Sequence, residues 1–166
     1  MEKKALRCPK LFDPVSKSVQ ENVVVLLAGN KIEAVLPIKE EENLEGYEQI
    51  DLTGKLVSPG LIDAHVHLGI SGQPNPGATR PRETDADWTL IGLKNAQTDL
   101  MAGFTSLRVC GDRNFISEAI RNSINRGEFY GPRLMTSGMY IGTTGSHADD
   151  SYSPYLGDPG LAPFVV

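Results

Sequence analysis

Two cysteines, three histidines and one tryptophan are all that this chain holds of those residue types. Cys8 and Cys110 lie far apart with no Cys-x-x-Cys spacing, so they read as free thiols in a reducing cytoplasm. Cys110 as a ligand or nucleophile is the weaker alternative. No apolar run approaches the ~20 residues needed to span a bilayer, so no membrane partner is expected. The start, Met1-Glu2-Lys3-Lys4, leads into no apolar segment and reads as no secretory signal. Basic residues are outnumbered, 16 against 21 acidic, for a formal net charge of −5. With no basic stripe and no interleaved aromatics, a nucleic-acid surface is not expected either. Internal repeats and low-complexity tracts are also lacking. What remains, 40% hydrophobic and 22% charged, is the composition of a soluble globular chain.

Two of the three histidines, His65 and His67, sit one residue apart in Leu56-Val57-Ser58-Pro59-Gly60-Leu61-Ile62-Asp63-Ala64-His65-Val66-His67-Leu68. The run is apolar with period two and is bounded by Pro59-Gly60 and Gly69, which predicts a buried strand. Alternation puts Leu61, Asp63, His65 and His67 on one face and Ile62, Ala64, Val66 and Leu68 on the other. Paired imidazoles at a strand's C-terminal end suit a shared divalent ion at roughly 2.0–2.1 Å. The plainer alternative is two core histidines satisfied by hydrogen bonds. Burying both rings leaves several polar nitrogens in need of partners, and that favours the ion.

Upstream, Val23 to Ala28 and Lys31 to Leu36 flank Gly29-Asn30 and predict a hairpin, with Pro37 ending its second strand. Lys39 to Glu45 is a solvated acidic connector. A short strand, Gln49 to Leu52, precedes the turn at Thr53-Gly54-Lys55. Downstream, Gly69 to Gly77 is a Gly- and Pro-rich loop, and Arg80, Arg82 and Glu83 read as exposed loop charges before pocket-wall residues. Asp85 or Asp87 caps a predicted helix from Trp88 to Ala102, closed by Gly103. Phe104 to Cys110 reads as a strand, Phe115 to Arg126 as a helix, and Arg133 to Gly138 as a third strand. That alternation predicts a parallel sheet. His147, in the glycine-rich stretch Met139 to Asp149, is placed at the same end of the sheet.

The string Pro59-Gly60-Leu61-Ile62-Asp63-Ala64-His65-Val66-His67-Leu68 resembles the first barrel strand of the amidohydrolase superfamily, metal-dependent hydrolases with a (β/α)₈ barrel. Gly131-Pro132-Arg133, Gly142-Thr143-Thr144-Gly145-Ser146-His147-Ala148-Asp149 and Gly103-Phe104-Thr105-Ser106-Leu107-Arg108 resemble its imidazolonepropionase-like and Xaa-Pro dipeptidase-like branch. The resemblance implies that His65 and His67 are metal ligands, for one or two divalent ions with zinc first. It also implies that His147 contacts substrate, a small amide or dipeptide-like molecule. The fold expected is α/β: the first βα units of a (β/α)₈ TIM-type barrel, preceded by part of a small β-sandwich. Residues 1–55 would form the sandwich part and 56–166 the first three βα units.

That barrel is incomplete, because a (β/α)₈ domain takes ~250 residues. A lysine, further histidines and an aspartate on later strands, implied by the resemblance, have no counterparts here. Asp63 is expected to be structural or to support the ligands, and Asp112 is an alternative carboxylate for the site. Three readings stay open. The chain is the N-terminal part of an enzyme hydrolysing carbon–nitrogen bonds and is inactive alone; it is a non-catalytic metal- or partner-binding fragment; or His65, His67 and His147 form a self-contained site. Substrate identity, metal number and oligomeric state are not legible.

Overall fold

The computed structural model describes residues 2–38, 44–70, 72, 74 and 83–142, and the backbone of 164 and 165. The chain divides into two compact units, Met1–Pro59 and Gly60–Val166.

The first unit is a five-stranded sheet built from β1 (Lys3–Asp13), β2 (Ser18–Ala28), β3 (Lys31–Pro37), β4 (Glu48–Asp51) and β5 (Leu56–Val57). Its order is β3-β2-β1-β4, with β5 also on β1. The Gly29-Asn30 hairpin forms as expected, Ala28 pairing with Lys31, and β3 ends at Pro37. The surprise is β1. Lys3–Asp13 forms one 11-residue strand, antiparallel to β2 and parallel to both β4 and β5. Val23, Val24 and Val25 are buried in succession because they serve two clusters. Val24 packs with Ala5 and Leu44, while Val23 and Val25 pack with Cys8. A strand buried on both faces needs no alternation, and burial pushes the Cys8 thiol pKa up.

The second unit runs strand, helix, strand, helix, strand. It comprises β6 (Leu61–Val66), α1 (Asp85–Met101), β7 (Phe104–Val109), α2 (Ile116–Asn125) and β8 (Arg133–Thr136). The three strands are parallel in the order β6-β7-β8. Short β9 (Ile141–Gly142) and β10 (Phe164–Val165) pair with each other. Leu68, Leu107, Val109 and Leu134 of the sheet side pack with Ala96 of α1 and Ile120 of α2 in one core cluster. Gly92 lets the layers close, since a Cβ there would lie 2.8 Å from Ile120 Cδ1 and 3.3 Å from Leu68 Cβ.

The cap of α1 differs from expectation. Thr84, not Asp85 or Asp87, is the N-cap, and Asp87 occupies N3 of a capping box. Thr84 Oγ1 accepts from the Asp87 N–H at 3.2 Å, and the Thr84 N–H donates to Asp87 Oδ2 at 2.8 Å. A carboxylate in this reciprocal position satisfies a donor and meets the positive end of the helix dipole.

Candidate metal centre

The site begins where β6 ends. Asp63 pairs with Leu107 and Val66 with Val109, three steps on β6 against two on β7, so one extra residue bulges in the stretch that contains His65. Strict alternation from Leu61 to His67 therefore fails. The Asp63 carboxylate turns back to accept the backbone N–H of His65 at 3.0 Å. Across from it on α1, burial and then the Asp63 charge push the Asp99 carboxyl pKa up. Asp63 serves the local strand geometry.

His65 is exposed and His67 half-buried. Their ring centroids stand 5.3 Å apart at 74°. His67 Nδ1 lies 2.7 Å from the Gly111 carbonyl oxygen, at the end of β7. A carbonyl only accepts, so the ring donates its Nδ1–H there and keeps the Nε2 lone pair free. This is how a ligating imidazole is oriented by a partner on its other nitrogen. The donor set thus fits a divalent ion. Among the described residues no group of three or more His, Cys, Asp and Glu could hold a metal, so the pair is a half-site.

The turn after His67 is held from three sides. Asp112, fully buried, accepts from Leu68 N through Oδ2 and from Gly69 N through Oδ1, both at 3.1 Å. Asn95 Nδ2 donates to the Leu68 carbonyl at 2.8 Å. Trp88 presses on Gly69, where a Cβ would lie 2.3 Å from its ring. Burial pushes the Asp112 carboxyl pKa up, and the Gly69 and Leu68 amides and the neighbouring His67 pull it back down. Each buried N–H left without that acceptor would cost about 1–3 kcal/mol. Asp112 thus supports the turn that follows His67 and is closed off from solvent.

Tyr140, its ring centroid 5.3 Å from that of His67, was not singled out from sequence, nor were Asn95 and the Gly111 carbonyl. Nothing in linear spacing marks them, because their partners lie 27 to 44 residues away for the hydrogen bonds. On the strands' open side, a groove of about 390 Å³ runs past Arg108, Cys110, Met135, Ser137 and Met139. Arg108 Nη1 donates to the Ala64 carbonyl at 3.0 Å. Both cysteines are free thiols. His147, Arg80 and Arg82 lie outside the described residues.

Fold and site together define a parallel α/β protein of the enzyme type, with polar side chains gathered at the C-terminal ends of its strands. The chain belongs to the amidohydrolase family, whose sequence pattern matches residues 56–157. It is 41% identical over 63 residues to a dihydroorotase of Lactobacillus acidophilus, covering 34% of this chain and 15% of that protein. It is 44% identical over 54 residues to an imidazolonepropionase of Bacillus cereus, covering 32% of this chain and 13% of that one. A crystal structure of a Xaa-Pro dipeptidase with methionine in its active site superimposes with a TM-score of 0.78. There the identity is 29%, over 92% of this chain and 37% of the other. The chain therefore spans well under half the length of each. No helix among the described residues is long and apolar enough to cross a membrane.

Proposed function

We propose that this chain carries the first metal-binding strand of a hydrolase that cleaves carbon–nitrogen bonds of the amide or peptide type. His65 and His67 hold a divalent ion, zinc first, and the observation that carries this is the 2.7 Å Nδ1 contact that leaves the His67 Nε2 free. Such an ion supplies activation of water for attack on a carbonyl carbon and polarisation of that carbonyl. The chain's own contribution is orientation. Gly111 fixes the His67 tautomer and the Asp63 bond fixes the backbone at His65. The relatives' names, a dihydroorotase, an imidazolonepropionase and a Xaa-Pro dipeptidase, support an amide, cyclic-amide or dipeptide-like substrate. His147 is assigned a substrate contact by family resemblance.

The half-site favours ion binding without turnover by these 166 residues alone. Zinc retained after dialysis, measured by elemental analysis, should fall to background in His65→Ala and His67→Ala. Retention in both variants would sink the assignment. In the complete enzyme, His147→Ala should raise KM for a dipeptide at least tenfold and leave the metal content unchanged.

A further inference from the structure

Between β7 and α2 the backbone does something costly. Asn114 and Phe115, neither of them glycine, stand in succession in the left-handed region at φ 46° and 58°. Asparagine tolerates the conformation, but it is rare for a bulky residue such as phenylalanine. Strain of this kind persists only where the surroundings over-determine it, and here they do. Arg113 Nε meets Asp85 Oδ1 at 2.6 Å, and Arg113 Nη1 donates to the Glu83 carbonyl at 2.9 Å. Asn114 Nδ2 donates to Asp85 Oδ2 at 3.0 Å. The first turn of α1 thus anchors the turn that begins immediately after Asp112. On the other side, the Asp112 N–H donates to the Gly138 carbonyl at 3.0 Å, past the end of β8. Gly111 adopts φ 121°, and a Cβ there would lie 2.6 Å from the Tyr140 ring, so only glycine brings its carbonyl to this point.

These contacts converge on one result. Two adjacent residues grip the His67 turn at two places, Gly111 by its carbonyl on the ring and Asp112 by its carboxylate on the next two amides. We infer that Gly111-Asp112 is a clamp for the His67 imidazole, with Asp112 its positioning residue. It acts through the Leu68–Gly69 backbone to keep Nδ1–H against Gly111 and Nε2 towards the ion. The inference rests on the metal reading above. It adds a residue outside the histidine pair, in the turn that follows β7.

The test uses the full chain and zinc as the probe. In the metal-free wild type, ¹⁵N resonances of the His67 ring should report the Nδ1–H tautomer, and the Leu68 and Gly69 amides should exchange slowly with solvent. An Nε2–H tautomer or fast exchange would overturn the clamp without any variant being made. Asp112→Asn keeps the shape but turns an NH₂ group towards one of the two amides. It should weaken zinc binding 10- to 100-fold, the range for residues that orient a ligand, and should mix the His67 tautomers. Leu134→Ala, a core truncation that removes no hydrogen bond from this turn, should lower Tm and leave zinc affinity and the tautomer unchanged. If Asp112→Asn merely lowers Tm in the same way, Asp112 is structural and the inference is wrong. Should the wild type bind no zinc while Asp112→Asn still shifts the tautomer, the metal reading falls and the ring clamp stands.

Discussion

At the scale of single residues, the site depends on what surrounds the two imidazoles more than on the imidazoles themselves. His-x-His is visible in any reading of the sequence, yet its chemistry is decided by the Gly111 carbonyl 44 positions away. Gly69 is a second case. Its Cα is where the Trp88 ring closes on the turn, and there is no room for a methyl group. Gly69→Ala should therefore destabilise the chain by about 1–3 kcal/mol, the usual cost of overpacking. It should also weaken zinc binding, because the turn it displaces carries His67. Chemical denaturation and a zinc titration of the same sample would check both. A variant with unchanged stability would mean that Trp88 moves aside freely.

At the scale of elements, α1 holds the back of the site, since Trp88 and Asn95 both reach the turn after His67. Its first turn is secured by Thr84 and Asp87, and Thr84→Ala should cost about 1 kcal/mol, typical of a lost N-cap. The Thr84 hydroxyl and then its N–H hold the Asp87 carboxyl below the ordinary aspartate range. The folded state therefore takes up that proton less readily than the unfolded chain. The stabilisation is fully present above the ordinary aspartate pKa and is lost as pH falls through the lowered one. Thermal unfolding of wild type and Asp87→Asn should thus differ near neutral pH and converge in strong acid. A gap that widened on acidification would contradict the capping-box geometry. The helix itself was legible between a capping aspartate and Gly103. Its cap was misplaced because Thr84, Asp85 and Asp87 are all competent, and only the hydrogen bonds choose between them. The β6 bulge was equally hidden, since a period-two string reads the same with or without an extra residue opposite its partner.

At the scale of the whole molecule, the parallel sheet of the second unit ends in β6 and β8. Leu61 and Ile62 on β6 and Met135 on β8 are 53%, 71% and 62% exposed, apolar groups on strands whose outer edges pair with nothing among the described residues. Edges of this kind template association. The 166-residue chain by itself should associate in a concentration-dependent way, seen as a rising sedimentation coefficient. It should also show no amidase or dipeptidase turnover with zinc added. A monodisperse monomer at high concentration would mean that these edges are covered. Turnover would mean that two imidazoles and the residues around them suffice for catalysis.

The sequence by itself determined the class of fold and displayed the paired histidines. Hydrophobic periodicity, turn residues and a His-x-His at a strand end are local properties, and local properties survive being read one residue at a time. Tertiary structure alone decided which nitrogen of His67 faces the Gly111 carbonyl and that Asp112 is buried under the turn after His67. It also decided that Lys3–Asp13 is one strand, because its partners β2, β4 and β5 lie elsewhere in the chain. Those outcomes depend on contacts between segments tens of residues apart, and no pattern along the chain encodes which distant carbonyl or amide will arrive beside a given side chain.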